Sequence, residues 1–598
     1  MSKLVRIGGA GGFYGDSSVA PRQLLEAGVD YLIMDYLAEA TMSALGQMRR
    51  AAPEAGYATD VVDWIWKENI KLFKETGAKF VTNAGGLNPR VCAQKMEDVA
   101  REAGLDFKIA IVEGDDLIER LDTFIDEGVT ELYKGEAFPE KDKVLTANAY
   151  LGAQPIAAAL AAGADVVITG RVVDSALTLG PLIHEFGWGA DEYDKLSAGS
   201  LAGHVIECGA QGSGGLFTDW EEVSDWAHIG YPIVECEADG AFTVTKPEGS
   251  GGLVSEAVVA EQILYEVGDP QAYMLPDVVC DFTKLKLEQT GKDRVRVTQA
   301  VGYAPTGRYK VSLTHEDGYR CIAVMPVVGR QAAQKAERQA EAVVIRVEEM
   351  LRNKQIGPFR AQRTELLGAE ASYGANSRAR DVREVVCKLA VEHDDPKALN
   401  YFIREFDSPT TSMSVGTTGW FAGRPQVTPV MRVFSFTVDT ADVPAHMEMN
   451  GKTLVVEGPK PKQAFTEAMI ERPEPGDVKT PNGSAVSVPL IDLAWARSGD
   501  KGDAFNVGVI ARKPEYLPFI RAALSHDAVM TYFAHEFEGA ENPALDIYEL
   551  PGLNAINFHL KESLGGGQFS TLRLDALAKG KAQQLLDYPV SVPAELVA

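Results

Sequence analysis

Short apolar runs alternate with amphipathic stretches along the first part of the chain. Five runs have the length of a β-strand and end in glycine or polar residues; they are residues 4–7, 31–34, 79–82, 108–112 and 165–169. Stretches of helical period, such as 61–75 and 89–103, lie between them. Apolar strands that alternate with helices are typical of a parallel sheet covered on both faces. The pattern therefore predicts an α/β fold with a mostly parallel sheet and covering helices.

The pattern becomes mixed after residue 253. It predicts helices at 256–267 and 331–353, and strands at 295–301, 309–313, 320–328, 427–438 and 452–456. We interpret residues 253–456 as a mixed second lobe within an N-terminal α/β region that spans residues 1–456.

A proline-rich segment, residues 457–488, follows and reads as a linker or an arm that wraps around a domain. It contains five prolines and the turn sequence Asn482-Gly483-Ser484. The remaining residues, 489–598, have the size of a small α+β domain. Strands are predicted there at 490–496, 544–550 and 555–560, and helices at 516–524, 528–537 and 578–586; residues 506–511 read as a strand or as the start of a helix.

The composition narrows the class of protein. The chain has 598 residues, and single cores stop growing near ~250–300 residues, so several folding units are expected. Its net charge of −27, with scattered lysines and arginines, disfavours nucleic acids and membranes as partners. No signal peptide pattern and no membrane-helix stretch is visible, and the six cysteines form no CxxC pair. We therefore expect a cytoplasmic protein with reduced thiols.

Metal and cofactor motifs are missing from the sequence. His184, His204 and His228 are widely separated, and no carboxylate cluster lies between them. We expect no metal site, because metal ligands usually recur at short, characteristic spacings. No cofactor is predicted.

Ligands bind beyond the carboxyl ends of parallel strands, and residues 8–16 form a glycine-rich loop after the first predicted strand. Glycine amides before a helix favour an anion, so we expect Gly11, Gly12 and Asp16 to bind an anionic group of a substrate. A dinucleotide is a second interpretation, although the third glycine of that motif is missing and Asp35 fits the ribose position only loosely. The third interpretation is a tight strand-to-helix turn.

A similar loop follows the third predicted strand. Asn83 can donate and accept hydrogen bonds, and Gly85 and Gly86 open the backbone. We expect these three residues to line the same crevice as the first loop. The alternative is a turn in which Asn88 and Pro89 simply begin the next helix.

A charged pair follows the fifth predicted strand. Arg171 carries a planar guanidinium suited to a carboxylate or phosphate, and Asp174 is placed to orient it or to act as a general base. The alternative is an ion pair beside a helix cap.

The densest set of chemically active residues lies at 203–215. On a helix His204, Glu207 and Cys208 share one face. A His–Glu pair is an acid–base couple, and a His near a Cys raises the thiolate fraction. We expect these three residues, with Asp174, to be catalytic. The alternative is a buried cysteine and a histidine of the core.

The glycines that follow supply exposed amides for an oxyanion, so we expect Gln211, Gly214 and Gly215 to contact substrate. In the C-terminal domain, residues 496–503 and 564–568 form two polar or glycine-rich turns. They could meet and cover the N-terminal site or a subunit contact, or they could be ordinary connections.

Residues 8–16, 83–89, 170–176 and 203–215 together resemble the acyclic terpene utilisation protein A family. Residues 492–506 and 564–568 resemble the C-terminal ferredoxin-fold-like domain of that family. The resemblance covers nearly the whole chain. It implies a bacterial catabolic protein that is encoded beside acyl-CoA enzymes for branched terpenoid or fatty acids.

We therefore expect an enzyme that acts on a branched acyl-CoA or a related carboxylic acid, as a lyase or hydratase. In this hypothesis His204 or Asp174 is the base, Cys208 or Glu207 is the acid, and Arg171 holds a carboxylate. One alternative is a non-catalytic partner subunit of an acyl-CoA carboxylase or hydratase system, which the lack of a cofactor motif favours. Another is an NAD(P)-dependent oxidoreductase. A small acyl substrate and a homo-oligomer are expected, without nucleic acid or membrane.

Overall fold

A computed structural model of the chain describes residues 3–419, 422–481 and 484–597. It has the expected α/β class: a large sheet with a parallel centre, covering helices, further antiparallel sheets and a small C-terminal domain. Asn482 and Gly483 of the expected linker lie outside the described residues. Within the described ranges, no helix is both long and apolar enough to cross a membrane.

Five neighbouring strands run parallel in the middle of an eleven-stranded central sheet. They coincide with the five apolar runs of the sequence and stand in the spatial order β1 (Leu4–Gly9), β2 (Tyr31–Met34), β3 (Lys79–Thr82), β6 (Val166–Thr169) and β4 (Ile109–Glu113). Every residue of β2 and β6 is buried, because helices cover both faces of the sheet.

The helices of the first 264 residues pack on the two faces of this sheet. They are α1 (Ala20–Glu26), α2 (Glu39–Ala51), α3 (Lys67–Thr76), α4 (Pro89–Glu102), α5 (Leu121–Asp126), α6 (Gln154–Ala161), α7 (Ala176–Phe186), α8 (Tyr193–Ile206) and α9 (Glu256–Leu264). A π-helical turn, Val61–Trp66, leads into α3. Helices α1 to α4 bury their apolar residues in one core cluster, and α6 to α8 bury theirs in the cluster on the opposite face.

Antiparallel strands from later in the chain extend both edges of the central sheet. Beyond β1 lie β7 (Ile233–Glu237), β8 (Phe242–Thr245), β12 (Arg294–Thr298) and β11 (Lys286–Gly291); beyond β4 lie β18 (Ala445–Met449) and β19 (Lys452–Val456). Residues 253–456, which we interpreted as a second lobe, therefore also supply strands to the central sheet.

A five-stranded antiparallel sheet is built around the long strand β14 (Arg308–Val328). Its other strands are β5 (Val144–Ala149), β15 (Ala361–Leu367), β16 (Glu384–His393) and β17 (Val427–Asp439), and its helices are α10 (Ala332–Asn353), α11 (Pro396–Asp407) and α12 (Pro409–Ser412). The predicted strands 309–313 and 320–328 are thus one strand, with a register shift between Glu316 and Tyr319. The sequence did not predict β5, because Thr146 and Asn148 interrupt its apolar pattern although both are buried.

A small sheet contains β9 (Tyr273–Met274), β10 (Val279–Asp281) and β13 (Val301–Tyr303). The single strand predicted at 295–301 is divided between β12 and β13, since Gln299 has a φ of 67° and breaks the extended backbone.

The C-terminal domain has its own core around Phe505, Phe533 and Phe558. Its antiparallel sheet has the order β21 (Ala494–Lys501), β22 (Ala504–Ala511), β24 (Ala555–Lys561) and β23 (Ala544–Leu550), with helices α13 (Leu517–Ala523), α14 (His526–Tyr532) and α15 (Lys581–Leu585). A separate pair, β20 (Ala485–Pro489) and β25 (Pro589–Pro593), joins the two ends of the domain. The domain docks on the end of α9, where Asn506 Nδ2 donates to the carbonyl of Leu264 at 2.7 Å.

Close backbone approach fixes the end of α8 against β1. A Cβ added at Gly9 would lie 2.1 Å from the carbonyl oxygen of Ile206, and one added at Gly12 would lie 2.8 Å from Cys208 Cα. A Cβ at Gly203 would lie 2.9 Å from Ser175, just before α7. Only glycine allows these distances, so these positions set where α8 ends relative to the carboxyl end of β1.

Replacing Gly9 by alanine should lower the free energy of unfolding by about 1–3 kcal/mol, because the backbone of β1 or α8 has to shift. Gly357→Ala is the matched control, since nothing lies within 4 Å of a Cβ added there. Urea unfolding followed by circular dichroism measures the difference. Equal midpoints for the two variants would show that this contact does not constrain the fold.

Candidate functional site

The polar residues that follow the parallel strands meet at one edge of the central sheet. Asp35 follows β2, Asn83 follows β3, Asp115 follows β4 and Arg171 follows β6, and all four are buried. Asn83 Nδ2 donates to Asp35 Oδ1 at 2.6 Å, and the backbone amide of Arg171 donates to Asp115 Oδ2 at 2.8 Å. These residues form a continuous polar floor at the carboxyl ends of the strands.

The guanidinium of Arg171 is held in place by its neighbours. Its Nη1 donates to Asp174 Oδ1 at 2.7 Å, and its Cζ lies 4.0 Å from the centroid of the Tyr150 ring. The Tyr150 hydroxyl in turn donates to Glu39 Oε1 at 2.7 Å. Because only 4% of its side chain is exposed, Arg171 fixes the position of Asp174 and has little surface left for a substrate carboxylate. The geometry favours the ion-pair interpretation of Arg171, and its expected role in holding a substrate carboxylate stays a prediction.

His204 and Glu207 form a buried pair at the end of α8. His204 Nδ1 lies 3.2 Å from Glu207 Oε1. Burial, assisted by the charge of Lys501, lowers the pKa of His204 to about 4. Burial, assisted by the charge of Asp174, raises the pKa of Glu207 well above its ordinary value. The imidazole is therefore neutral at neutral pH, and the carboxyl group is harder to ionise than one in water.

The hydrogen bond between these two side chains can form with its proton on either group. A neutral imidazole with its proton on Nδ1 donates to the Glu207 carboxylate, whereas one protonated on Nε2 accepts from the protonated carboxyl group. The second nitrogen, His204 Nε2, is buried without a hydrogen-bond partner among the residues described. A pair that shares one proton in a buried site is suited to general acid–base chemistry.

Cys208 lies beside this pair but is not activated by it. No hydrogen bond joins its thiol to His204 in the described part of the chain. Burial, assisted by the charges of Glu207 and Glu266, raises the pKa of Cys208 well above its ordinary value. The thiolate activation that a neighbouring histidine was expected to provide is therefore not supported by this geometry.

The C-terminal domain contributes charges to the same region. Lys501, at the end of β21, has its Nζ 3.5 Å from Glu266 Oε2, and Lys579 Nζ lies 3.4 Å from Glu266 Oε1. Glu266 follows α9 with a φ of 57°, a left-handed conformation that is strained for a residue with a side chain. A Cβ added at Gly499 would lie 2.5 Å from Glu266 Cγ, so the β21 strand packs directly on this residue.

Lys501 is the most exposed lysine of the region, with 47% of its side chain accessible. Partial burial lowers its pKa, but the negative charges of Glu266 and Asp174 outweigh this and raise it well above its ordinary value. Lys501 therefore stays charged. We call the region around Asp174, His204, Glu207, Glu266 and Lys501, whose charges act on one another, the charged cleft.

The two C-terminal turns that stood out in the sequence meet in space. Asp503 Oδ1 accepts from the amides of Gly566 at 2.7 Å and Leu564 at 3.2 Å. Arg497, from the first turn region, donates to Gln211 and to the carbonyl of Leu216 at 3.1 Å. The first turn therefore lies against the 203–215 segment.

Polar groups of the first glycine loop are already used in hydrogen bonds within the protein. The Gly12 amide donates to Asp16 Oδ2 at 3.0 Å, and Asp16 Oδ1 accepts from the Ser17 amide at 2.7 Å. The Gly11 carbonyl accepts from the Asp35 amide at 3.1 Å. A carboxylate thus stands where we expected a substrate anion, and the geometry favours the tight-turn interpretation of Gly11, Gly12 and Asp16.

The dinucleotide interpretation is also disfavoured. Asp35 Oδ1 accepts from Asn83 and, at 3.1 Å, from the Leu37 amide. Its carboxyl group is buried, and burial together with the charge of Asp174 raises its pKa well above the ordinary value. Asp35 is therefore not open to a ribose hydroxyl.

The remaining predicted glycines pack in turns. Cβ atoms added at Gly85 and Gly86 would lie 2.6 Å from the Thr169 carbonyl oxygen and 2.5 Å from Leu45. The Gly215 amide donates to the Ala210 carbonyl at 2.8 Å, and Gly214 has a φ of 103°.

The narrow space between Gln211, Gly215 and Arg497 has no room for a water molecule. These residues therefore close a turn beside the cleft and do not open into it. No group of three or more histidine, cysteine, aspartate or glutamate residues in the described ranges could hold a metal ion.

Sequence reasoning missed Glu266 of the cleft and three residues beside it, Glu39, Tyr150 and Lys310. Lys310 Nζ lies 3.8 Å from Glu39 Oε1, and Glu39 and Tyr150 act on Arg171. All four are single polar residues in ordinary helix or strand patterns, and no spacing distinguishes them. Lys501 had a signal, because it lies in the polar turn at 496–503.

The model of the acyclic terpene utilisation family protein AtuA matches residues 5–449, and that of the AtuA ferredoxin-like domain matches residues 488–591. The chain therefore belongs to the acyclic terpene utilisation family, and the resemblance seen in the sequence is confirmed. No curated protein and no solved structure matches the chain.

The lowered pKa of His204 predicts a loss of stability in acid. Its value in the folded protein is about 4, against 6.5 for the free group, so between these values the unfolded chain binds a proton that the folded chain does not. The stabilisation is complete above pH 6.5 and declines as the pH falls toward 4. The difference in unfolding free energy between wild type and His204→Gln should therefore shrink by about 2 kcal/mol from pH 7 to pH 5.

Urea unfolding at the two pH values measures this difference. His228→Gln is the control, because 77% of the His228 side chain is exposed. A His204→Gln difference that does not change with pH would contradict the assignment of a buried neutral imidazole.

Proposed function

We propose that the protein is an enzyme that acts on a branched acyl-CoA or a related carboxylic acid in the breakdown of acyclic terpenoids or branched acids. Membership of the acyclic terpene utilisation family supports this metabolic setting. We propose lyase or hydratase chemistry, because both need proton transfer at the carbon next to a thioester or carboxylate. The observation that carries the proposal is the buried His204–Glu207 pair beside the charged and accessible Lys501.

Lys501 is the proposed anchor for the oxygen of the substrate's thioester or carboxylate. It keeps its positive charge and is open to solvent, whereas Arg171 is covered. A fixed positive charge at that oxygen would stabilise the enolate that forms when a proton leaves or joins the neighbouring carbon. In this proposal neither the loop glycines nor Arg171 takes the place of Lys501 at the substrate oxygen.

Proton transfer is assigned to the carboxyl groups and His204. Asp174, held by Arg171, is the proposed base, and Glu207 with its partner His204 is the proposed acid. Glu207 is preferred to Cys208, because a thiol whose pKa is raised even further is a poor proton donor at neutral pH.

With these groups, the protons and bonds of both the hydration and the lyase reaction are accounted for. In hydration, the base takes a proton from water, the oxygen bonds to C3 of an unsaturated acyl group, and the acid protonates C2. In the lyase direction, the base takes the proton of a 3-hydroxyl group, the C2–C3 bond breaks, and the resulting enolate takes its proton from the acid. In each case a new C–H bond forms at C2.

Glu207→Gln and Lys501→Met should each lower turnover by about 100-fold or more, because one removes the acid and the other removes the charge at the enolate oxygen. The measurement is deuterium incorporation at C2 in heavy water, detected by mass spectrometry. The substrates are a 3-methyl-branched 2-enoyl-CoA, a 3-methyl-branched 3-hydroxyacyl-CoA and the corresponding free acids.

Lys513→Met and Glu515→Gln are matched controls, since both residues are exposed and lie outside the cleft. They should keep the wild-type rate of incorporation. If the wild type incorporates no deuterium from any of these compounds, or if both cleft variants keep full activity, the proposed function is wrong.

A second candidate is a non-catalytic partner subunit of an acyl-CoA carboxylase or hydratase system. Trp220 and Trp226 favour it, because they are 56% and 59% exposed and their rings contact each other edge to face at 5.8 Å. Copurification of such an enzyme with the wild type, lost in a Trp220→Ser and Trp226→Ser double variant, would support it. We also propose a homo-oligomer, which light scattering of the purified protein tests.

A further inference from the structure

A cavity of about 330 Å³ opens between the C-terminal domain and the turn that follows β15. Its walls include Glu370, Tyr373 and Arg378 from the turn and Tyr532, Asp587 and Tyr588 from the C-terminal domain. It shares no residue with the charged cleft. Its volume is at the lower end of the range for small-molecule sites, roughly 300–1,000 Å³. We call it the tyrosine pocket.

The walls of the tyrosine pocket are held by direct contacts between the two parts of the chain. Asn376 Nδ2 donates to the Tyr532 carbonyl at 2.9 Å, and His535 Nε2 lies 3.0 Å from the Ser372 carbonyl. A Cβ added at Gly374 would lie 2.3 Å from His535. The pocket therefore exists as soon as the domains dock, and a ligand would not have to order it.

Aromatic rings form much of the lining. The Tyr532 and Tyr588 rings meet edge to face with centroids 5.5 Å apart, and Tyr373 lines the pocket from the turn. The Tyr532 hydroxyl donates to the Gln584 carbonyl at 2.5 Å, which fixes the orientation of that ring. The face of a tyrosine ring carries partial negative charge and attracts cations.

The tyrosine pocket has a net negative charge, and the faces of the tyrosine rings also carry partial negative charge. Glu370 and Asp587 provide two carboxyl groups against the single guanidinium of Arg378. Burial and then Asp587 raise the pKa of Tyr532 to about 12, so its phenol stays neutral. Glu370 Oε2 accepts from the Arg378 backbone amide at 2.5 Å, whereas the Asp587 carboxylate makes no hydrogen bond to any described residue.

We propose that the tyrosine pocket binds a small organic cation with an ammonium, methylated ammonium or guanidinium head group. The ring faces of Tyr373, Tyr532 and Tyr588 surround the head group, and Asp587 provides its counter-charge. An acidic wall repels phosphate and carboxylate ligands, so the nucleotide alternative, with a base on the tyrosines and a phosphate at Arg378, is disfavoured.

Isothermal titration calorimetry of the full-length protein tests this proposal with choline, putrescine and agmatine as probes. Choline is paired with 3,3-dimethylbutan-1-ol, which has the same shape without the charge. At least one cation should bind, and choline should bind about tenfold more tightly than its neutral analogue if it is the preferred head group. Adenosine monophosphate is titrated in parallel.

Substitutions in the tyrosine pocket test whether the cation binds there. Asp587→Asn should weaken binding of the cation about tenfold by removing the counter-charge, and Tyr373→Leu should weaken it by removing a ring face. Glu515→Gln, an exposed carboxylate of the same domain outside the pocket, should bind like the wild type. Thermal unfolding of each variant establishes that it is folded.

The proposal is overturned if none of the three cations binds at concentrations up to about 10 mM, where even a weak site fills. It is also overturned if the neutral analogue or adenosine monophosphate binds more tightly than every cation. Binding that is unchanged in both Asp587→Asn and Tyr373→Leu would place the site elsewhere and would equally refute it.

Discussion

Contact between the backbones of β1 and α8 is the constraint on which the charged cleft depends. Glycines at 9, 12 and 203 bring the end of α8 within van der Waals distance of the loop after β1 and of the turn before α7. This approach places His204 and Glu207 beside the carboxyl ends of the parallel strands, where Asp174 and the polar floor already lie. The glycines at these three positions therefore act through packing, and the packing positions the side chains of the charged cleft.

The second organising feature is an imbalance of charge. Asp35, Glu207 and Glu266 lie close to Asp174, and burial together with the charge of Asp174 raises the pKa of all three. The C-terminal domain offsets part of this repulsion, since it supplies Lys501 and Lys579. Buried or half-buried charges are tolerated when they are paired, so docking of the two domains and the electrostatics of the cleft support each other.

Much of the fold could be predicted from the sequence because its parallel strands are buried on both faces and read as continuous apolar runs. Strand β5 could not be predicted, since its polar residues are satisfied only by partners distant in the chain, such as the bond between Thr146 and Thr314. In the same way, the spacing of His204 and Glu207 identified a pair that the structure brings together, whereas Glu266, Glu39 and Lys310 reach the cleft only through long-range topology. The glycine loops were recognised as unusual, but a sequence does not distinguish a loop opened for a ligand from one opened for a neighbouring helix.

The origin of Lys501 in the last hundred residues has a consequence for synthesis of the protein on the ribosome. When the central sheet has emerged and folded, its cleft still holds carboxylates without their lysine partners. The opposing ammonium groups arrive only after β21 and α15 have left the exit tunnel and docked. A nascent or prematurely terminated chain therefore carries a group of carboxylates that repel one another, and the electrostatic balance of the cleft is completed last, as translation ends.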